Sequence, residues 1–327
     1  MSTTEFYVAL TVAALCLVIG LINPAFFRVQ NLFDILRSMV EMGILALGFF
    51  VVLASGGIDV SFGAIALFSM YATVKTLTGM QYEGGLFLPF LMGGTIGLLL
   101  GFVNAFFISL FRLPTLIVTL GTSSVIRGAM LVFLGVKIIT VLPPSMYQFG
   151  ITNLAHAATA QGTTIGLAAS VLALAAASIL VWALMRYTMI GRGVFAIGGD
   201  AVAARRAGFN LRSIYLFVYG LSGALAGVTG ILHASAVRNA NPYDFIDVEL
   251  SVIAAVVLGG ARITGGHGSV IGTLLGVALV VVMNNSLILM GVSSYWQRVV
   301  IGLLILIGTG VAAYQGKRQS RVSLTDV

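Results

Sequence analysis

The stretch VVLASGGIDVSFGAIALFS (residues 51–69) interrupts an apolar chain with two glycines and an aspartate. The runs on both sides are apolar enough for buried helices. Gly56 and Gly57 permit backbone conformations and close approaches that other residues disfavour. An ionised Asp59 beside such runs is costly in an apolar environment, so it indicates a function or a partner. What Asp59 does there depends on the solvent around the chain.

The composition indicates a membrane environment. Hydrophobic residues make up 59% of the 327-residue chain and charged residues only 8%, against roughly 25% charged in soluble domains. The net charge of +7 comes from only 17 Lys and Arg, which favours basic loops at a membrane over a nucleic-acid surface. The single cysteine, Cys16, excludes an internal disulfide.

Apolar runs long enough to cross a bilayer recur along the chain. A span needs about 20 apolar residues, and the first run has no basic segment before it, so we interpret it as an uncleaved span. The sequence predicts an all-α polytopic membrane protein with one domain, 1–327, and about ten spans. The predicted spans are 5–24, 39–55, 62–78, 88–110, 114–135, 164–185, 214–236, 248–260, 269–290 and 296–314.

Basic residues predict the orientation. With the N-terminus inside, ten Lys and Arg fall on cytoplasmic loops and at most five on the other side. This excess predicts that both termini are cytoplasmic. The ten are Arg112, Arg186, Arg192, Arg205, Arg206, Arg212, Arg262, Lys317, Arg318 and Arg321; the five are Arg28, Arg37, Lys137, Arg238 and Arg298.

A second glycine-rich break, LGGARITGGHGSVIG (258–272), follows a short apolar run. Its glycines are Gly259, Gly260, Gly265, Gly266 and Gly268. Paired breaks in the two halves of a membrane protein indicate a translocation site, although small residues also allow close helix packing. The segment lacks GxxxxGK[ST], so we expect no ATP site and no cofactor in this chain.

Few polar side chains fall inside the predicted spans, and these are candidates for lining a translocation path. Together with Asp59 and Phe62 at the first break, the candidates are Asn104, Arg127, Glu249, Asn284 and Asn285. Arg127 is too deep to reach the surface, so it either pairs with Asp59 or Glu249 or contacts a substrate. The two neighbouring asparagines either bind a polar substrate or tie helices together. A helix begins just after Asp59, and its N-terminus favours an anion, so Asp59 is a better candidate for organising the break than for binding a solute.

The three histidines are scattered along the chain, at 156, 233 and 267. They form no pattern of metal ligands, and no catalytic triad or carboxylate pair is recognisable. We therefore expect no metal site and no enzyme.

The segment RYTMIGRGVFAIGGDAVAARRAGFNLRS (186–213) is basic. It predicts a short helix with Asp200 as N-cap and Gly208 just beyond its end. Such a helix either docks in a groove of a partner or lies on anionic lipid. The residues concerned are Gly199, Asp200, Ala203, Ala204, Arg205, Arg206 and Gly208.

Several of these stretches, in this order, resemble one family. They are NLFDILRSMVEMGILALGFFVVLASGGIDVSFG, GFVNAFFI, LPTLIVTLGT, IRGAMLV, GRGVFAIGGDAVAARRAGFN, VELSVIAAVVLGGARITGGHGSVIG and NNSLILMGVSSYWQRVVIG. The chain resembles the permease subunit of bacterial ABC importers for simple sugars, of the ribose, xylose, arabinose and galactoside type, in the branched-chain amino-acid/sugar permease superfamily. It departs from the usual pattern at Val60, Phe62, Ala105, Asp200 and Val202.

The resemblance implies a set of partners. These are a second permease subunit, identical or related, a cytoplasmic ABC ATPase that grips the 186–213 coupling loop, and a periplasmic sugar-binding protein, all at the bacterial inner membrane. A furanosyl autoinducer, a polyol or a nucleoside is an alternative substrate on the same scaffold. An ion-coupled secondary transporter is a further alternative, but it would need a chain of buried titratable groups, and only Asp59, Arg127 and Glu249 are available.

Overall fold

A computed structural model describes residues 3–158 and 164–292, with positions 296, 299, 302 and 303. These ranges contain twelve α-helices and one β-hairpin. The helices are α1 (Thr3–Ile22), α2 (Val29–Ala54), α3 (Phe62–Gly79), α4 (Phe87–Phe111), α5 (Thr115–Ala129), α6 (Pro144–Ile151), α7 (Val171–Tyr187), α8 (Met189–Gly199), α9 (Ala201–Arg206), α10 (Leu211–Val237), α11 (Val248–Leu258) and α12 (Val270–Leu289). The strands β1 (Asn153–Ala158) and β2 (Thr164–Ala168) are antiparallel.

Six of the described helices are long and apolar enough to cross a membrane. They are α1, α2, α4, α5 with its extension to Leu134, α10 and α12. The pair α7 and α8 adds a seventh if it counts as one span, but it is bent by 75°. The protein is therefore mostly helical with six or seven candidate spans.

The nine predicted spans up to residue 290 each overlap a helix, namely α1 to α5, α7 and α10 to α12. The predicted span 296–314 lies almost entirely outside the described residues. The second span is longer than predicted, because α2 already begins at Val29. The first turns of α2 carry charged and amide side chains, and the predicted span therefore began only after them. The eighth is short, since α11 has only 11 residues.

The prediction was wrong at the start of the sixth span. Residues Thr164–Ala168 are strand β2, and α7 begins only at Val171. A short apolar run fits a strand or a buried helix equally well by periodicity, and β1 supplies the partner that makes this one a strand. The chain is therefore not purely α-helical.

Helix α10 lies at the centre of the fold, against α2, α3 and α4. Glycines on facing sides allow α4 and α10 to touch through their backbones. A Cβ at Gly97 would collide with the Gly223 carbonyl, and one at Gly223 with the Gly97 carbonyl. Small residues at such a crossing maximise contact between apolar helices, which association within lipid requires.

The two ends of the molecule are distinct. Helix α7 runs from the β-hairpin to the turn at Thr188, after which α8 and α9 follow. We call these ends the hairpin end and the α9 end. Helix α5 runs between them, since Thr115 shares a cavity wall with Ala201 and Arg205 at the α9 end, while Met130 in the π-helical turn packs in one cluster with Met146 of α6, which leads into the hairpin.

Candidate functional site

The first break, residues 55–61, joins α2 to α3, and α5 supplies its hydrogen bonds. Gly56 has φ of +81° and turns the chain at the end of α2. The Ile58 amide donates to Thr115 Oγ1 at 3.0 Å, and the Val60 amide to Thr119 Oγ1 at 3.3 Å. Backbone groups outside a helix need such partners when they are away from water. The break is therefore an ordered element tied to α5.

Asp59 is 1% exposed and binds only neutral groups. Its Oδ1 accepts hydrogen bonds from the Ser61 amide at 2.7 Å and the Ser61 hydroxyl at 2.6 Å, and its Oδ2 accepts one from Ser222 Oγ at 3.3 Å. Ser61 is the residue before α3, so the carboxyl fixes the start of that helix and ties it to α10. In the described residues Asp59 makes no ion pair, so the alternative that it pairs with Arg127 is wrong.

Asn104 extends this network to α4 and α5. Its Nδ2 donates to Ser61 Oγ at 2.7 Å, and its Oδ1 accepts from Thr122 Oγ1 at 2.6 Å. Asn104 is fully buried. The amide thus connects the break to both neighbouring helices, since one side chain serves as donor and acceptor at once.

Arg127 pairs with Glu249, one of the two partners that the sequence predicted. Its Nη2 donates to Glu249 Oε1 at 2.8 Å and to the Phe245 carbonyl at 3.0 Å. The pair joins α5 to the start of α11. A Cβ at Gly63 would come within 2.5 Å of Glu249 Oε1, so the carboxylate also lies at the N-terminus of α3, where an anion is favoured.

The two glycine-rich breaks meet each other at the end of α8. The Gly266 amide donates to the Ala54 carbonyl at 2.9 Å. A Cβ at Gly265 would lie 2.6 Å from Gly56 Cα and 3.0 Å from Gly198 Cα, and one at Gly198 would overlap the Ala54 carbonyl. We call the contact of Ala54, Gly56, Gly198, Gly265 and Gly266 the glycine junction. A Cβ at Gly198 or Gly265 would overlap backbone atoms, and Gly56 has a positive φ that disfavours a side chain.

The segment from α8 to α9 has the caps that the sequence predicted. Asp200 Oδ1 accepts from the amides of Val202 and Ala203 at 2.8 and 3.0 Å, and α9 follows it directly. Gly208 has φ of +92° beyond the helix. Ala204 is buried, whereas Arg205 and Arg206 are exposed. Helix α8, which the sequence analysis did not separate from the loop, carries Gly198 into the junction.

Two cavities flank α5 on either side of the first break. An outer cavity of about 510 Å³, toward the hairpin end, is lined by Val60, Leu120, Ser123, Arg127, Tyr243 and Glu249, among others. An inner cavity of about 1000 Å³, toward the α9 end, is lined by Gly56, Ser109, Thr115, Arg205, Asn210 and Arg212, among others. Val60 and Gly56 belong to one break, so residues 56–60 separate the two spaces.

The remaining predicted residues lie elsewhere. Phe62 is buried with its ring edge against Phe49, at a centroid distance of 5.9 Å, and lines neither cavity. Asn284 and Asn285 are half-buried in α12. The buried Asn285 Oδ1 has no hydrogen-bond partner among the described residues. Gly57 lies beside the Tyr219 hydroxyl, and Gly259 packs against the Gly272 backbone. Gly260 and Gly268 have φ of +92° and +147° within the second break.

The sequence reasoning missed the hydroxyls that hold the break. Thr115, Thr119 and Thr122 follow a spacing of four and three residues, which places them on one face of α5. Ser222 on α10 has no such signal, because serine is common within apolar helices. The threonine spacing could have been recognised from the sequence.

These features define a multi-pass membrane protein with two hydrogen-bonded breaks that meet each other and a pair of cavities beside the first break. The chain belongs to the family described as branched-chain amino acid transport system / permease component, whose model matches residues 31–308. It is 34% identical to the ribose import permease protein RbsC of Bacillus subtilis, over 90% of this chain and 88% of that protein. It is 34% identical to the probable ABC transporter permease protein YphD of Escherichia coli K12, over 93% and 87%.

A further relative is named for a different substrate. The chain is 29% identical to the autoinducer 2 import system permease protein LsrC of Escherichia coli O157:H7, over 98% of this chain and 89% of that protein. No solved structure gives a significant match to the chain.

Proposed function

We propose that this chain is the permease subunit of an ABC importer that carries a simple sugar, a pentose or a hexose, across the bacterial inner membrane. The observation that carries the mechanism is the glycine junction, where both breaks contact the end of α8. The names of the ribose permeases support the substrate class. The hydroxyl and amide groups around the path suit a solute without net charge.

In this proposal the chain has ten spans, both termini are cytoplasmic, and it forms a single domain. The inner cavity then opens to the cytoplasm and the outer cavity to the periplasm. The partners are a second permease subunit, an ABC ATPase and a periplasmic binding protein, and ATP hydrolysis takes place in the separate ATPase chain. The excess of basic residues on the predicted cytoplasmic side supports the orientation.

The transport step follows from the contacts. The ATPase grips the coupling loop and moves α9, which Asp200 couples to the end of α8. Gly198 then presses on Gly56 and Gly265 without an intervening side chain, so the displacement reaches both breaks. Residues 56–60 act as the barrier between the two cavities, and their hydrogen bonds to α5 are exchanged as the barrier opens. Such a two-state element is what alternating access requires.

Reconstitution tests the proposal. Proteoliposomes that contain the chain, its cognate ATPase and its binding protein are expected to take up labelled ribose only with ATP, and sugar-loaded binding protein is expected to stimulate ATP hydrolysis. Uptake driven by a proton gradient without ATP would refute the assignment and favour the secondary transporter.

Coupling variants test the role of α9. Ala204→Glu places a charge at a buried position of the coupling loop, and Gly208→Glu places one in open space at positive φ. Both are expected to lower ATPase association and uptake at least tenfold while the protein still inserts. Gln148→Glu adds the same charge at the hairpin end and serves as the control. Normal association in both coupling variants would contradict the assignment of the loop.

A second substrate class is supported by the relative named for autoinducer 2 import. Furanosyl autoinducers, polyols and nucleosides share the hydroxyl pattern of a sugar, so the same path suits them. Binding of each compound to the partner binding protein separates these classes. In such a comparison, ribose or another simple sugar is expected to bind most tightly.

A further inference from the structure

The charges on the two cavities differ. Three arginines line the inner cavity, Arg112, Arg205 and Arg212, and no carboxylate among the described residues lines it. The outer cavity has Arg127 together with Asp247 and Glu249. The inner cavity is therefore strongly positive, whereas the outer cavity carries a small negative excess.

The three arginines come from separate elements. Arg112 ends α4 in the left-handed conformation, with φ of +53°, Arg205 lies in α9, and Arg212 is in the first turn of α10. All three are exposed, and none of them takes part in the ion pairs formed within the described part of the chain. Their electrostatic potentials add because all three residues line the same cavity.

Membrane topology alone does not explain this arrangement. The excess of basic residues on one side requires only that Lys and Arg lie in loops near the span ends. Arg186 and Arg192 meet that requirement at the same end and do not line the inner cavity. The excess of basic residues therefore does not by itself require three arginines from three elements to line one cavity, and a position in the coupling loop does not account for Arg112.

We propose that Arg112, Arg205 and Arg212 exclude cations from the inner half of the transport path. The inference rests on the proposed function, because it takes the inner cavity as part of that path. A neutral sugar crosses a positive cavity without an electrostatic cost, while Na⁺, K⁺ and H₃O⁺ are repelled. Arginines exclude cations from other pores by the same physics. The importer thereby avoids discharging the membrane potential each time the barrier opens.

Thiol reactivity measures the potential of the cavity directly. In a Cys16→Ala background, Ser109→Cys places a thiol on the inner cavity and Ser123→Cys places one on the outer cavity. The readout is the rate with the anionic sulfonatoethyl methanethiosulfonate divided by the rate with the cationic trimethylammonium reagent. We expect this ratio to be at least about fivefold higher at Ser109→Cys than at Ser123→Cys. Leu113→Cys is a second inner position.

Neutralisation identifies the source of the potential. Arg112→Gln and Arg212→Gln are each expected to lower the inner ratio about twofold to fivefold. Arg186→Gln removes the same charge at the same end outside the cavity and is expected to leave the ratio unchanged. Equal ratios in the two cavities, no reaction at either inner position, or an equal effect of Arg186→Gln would overturn the proposal.

Ion leak tests the function itself. In proteoliposomes with the complete importer, the K⁺ released per sugar transported is expected to rise severalfold in the Arg112→Gln/Arg212→Gln variant, with Cl⁻ release falling. A leak ratio equal to that of Arg186→Gln would refute cation exclusion. Failure of the wild type to transport sugar with ATP would instead refute the proposed function, and the thiol ratios would still report the charge of the cavity.

Discussion

Replacing Gly198 by alanine tests whether the glycine junction is as closely packed as the structure has it. The added Cβ would overlap the Ala54 carbonyl and the Gly266 amide, which are hydrogen-bonded to each other. Both are backbone atoms, so no side-chain rotation relieves the overlap. The neighbouring Gly199 is exposed and has no atom within 4 Å of a built Cβ, which makes Gly199→Ala a matched control in the same helix.

The expected difference follows from three contributions. Overpacking costs about 1–3 kcal/mol, and disruption of the junction hydrogen bond about 0.5–1.5 kcal/mol. Both variants gain roughly 0.5–1 kcal/mol because alanine is the better helix former. The helix-propensity gain cancels in the comparison, so Gly198→Ala is expected to be about 1.5–4.5 kcal/mol less stable than Gly199→Ala.

Thermal unfolding in detergent, followed by tryptophan fluorescence, measures this difference. The midpoint shift per kcal/mol falls as the chain lengthens, to about 1.5 °C for 327 residues, so we expect Gly198→Ala to unfold at a temperature roughly 2–7 °C below Gly199→Ala. Equal midpoints would show that the breaks and α8 do not meet closely, and the proposed transmission from α9 would lose its basis.

Two further variants test the polar contacts of the breaks. Asp59→Ala removes the acceptor of three hydrogen bonds and is expected to cost about 2–4 kcal/mol of stability. Asp59→Asn keeps the Oδ1 acceptor and the fold but lowers sugar uptake; a thermal midpoint as low as that of alanine, or normal uptake, would contradict this. Arg127→Ala and Glu249→Ala are each expected to cost about 1–3 kcal/mol, and the double variant less than their sum by about 1–2 kcal/mol. Additive midpoint shifts would argue against the ion pair.

The sequence predicted local features well. Hydropathy located nine of the helices within the described ranges, and the N-cap at Asp200 follows from the residue types in that segment. The sequence also limited the ion-pair partners of Arg127 to two carboxylates, Asp59 and Glu249, because a charge deep in a membrane requires a partner. In each case the signal lies within one segment of the chain or in the cost of one buried group.

The meeting of the two breaks was not predictable in the same way. Gly56 and Gly265 lie about 200 positions apart in the sequence. Neither segment contains a signal that identifies the other as its contact partner, since glycines allow close approach to any backbone. The β-hairpin was missed for a related reason, because β2 is a strand only through its pairing with β1.

The contacts of Asp59 favour the first of its two predicted roles, organising the break, over the second, binding a solute. Both of its oxygens accept hydrogen bonds from protein groups, and the side chain is 1% exposed. Neither cavity includes it in its lining, whereas Val60 and Gly56 on either side line one cavity each. A solute in the proposed path therefore meets the backbone that Asp59 holds, and not the carboxyl itself. The polar groups on the wall of the outer cavity, such as Ser123 and Arg127, lie on α5. The break is thus held from its buried side while its other side borders the two cavities, and this gives the aspartate in the apolar chain a structural reason.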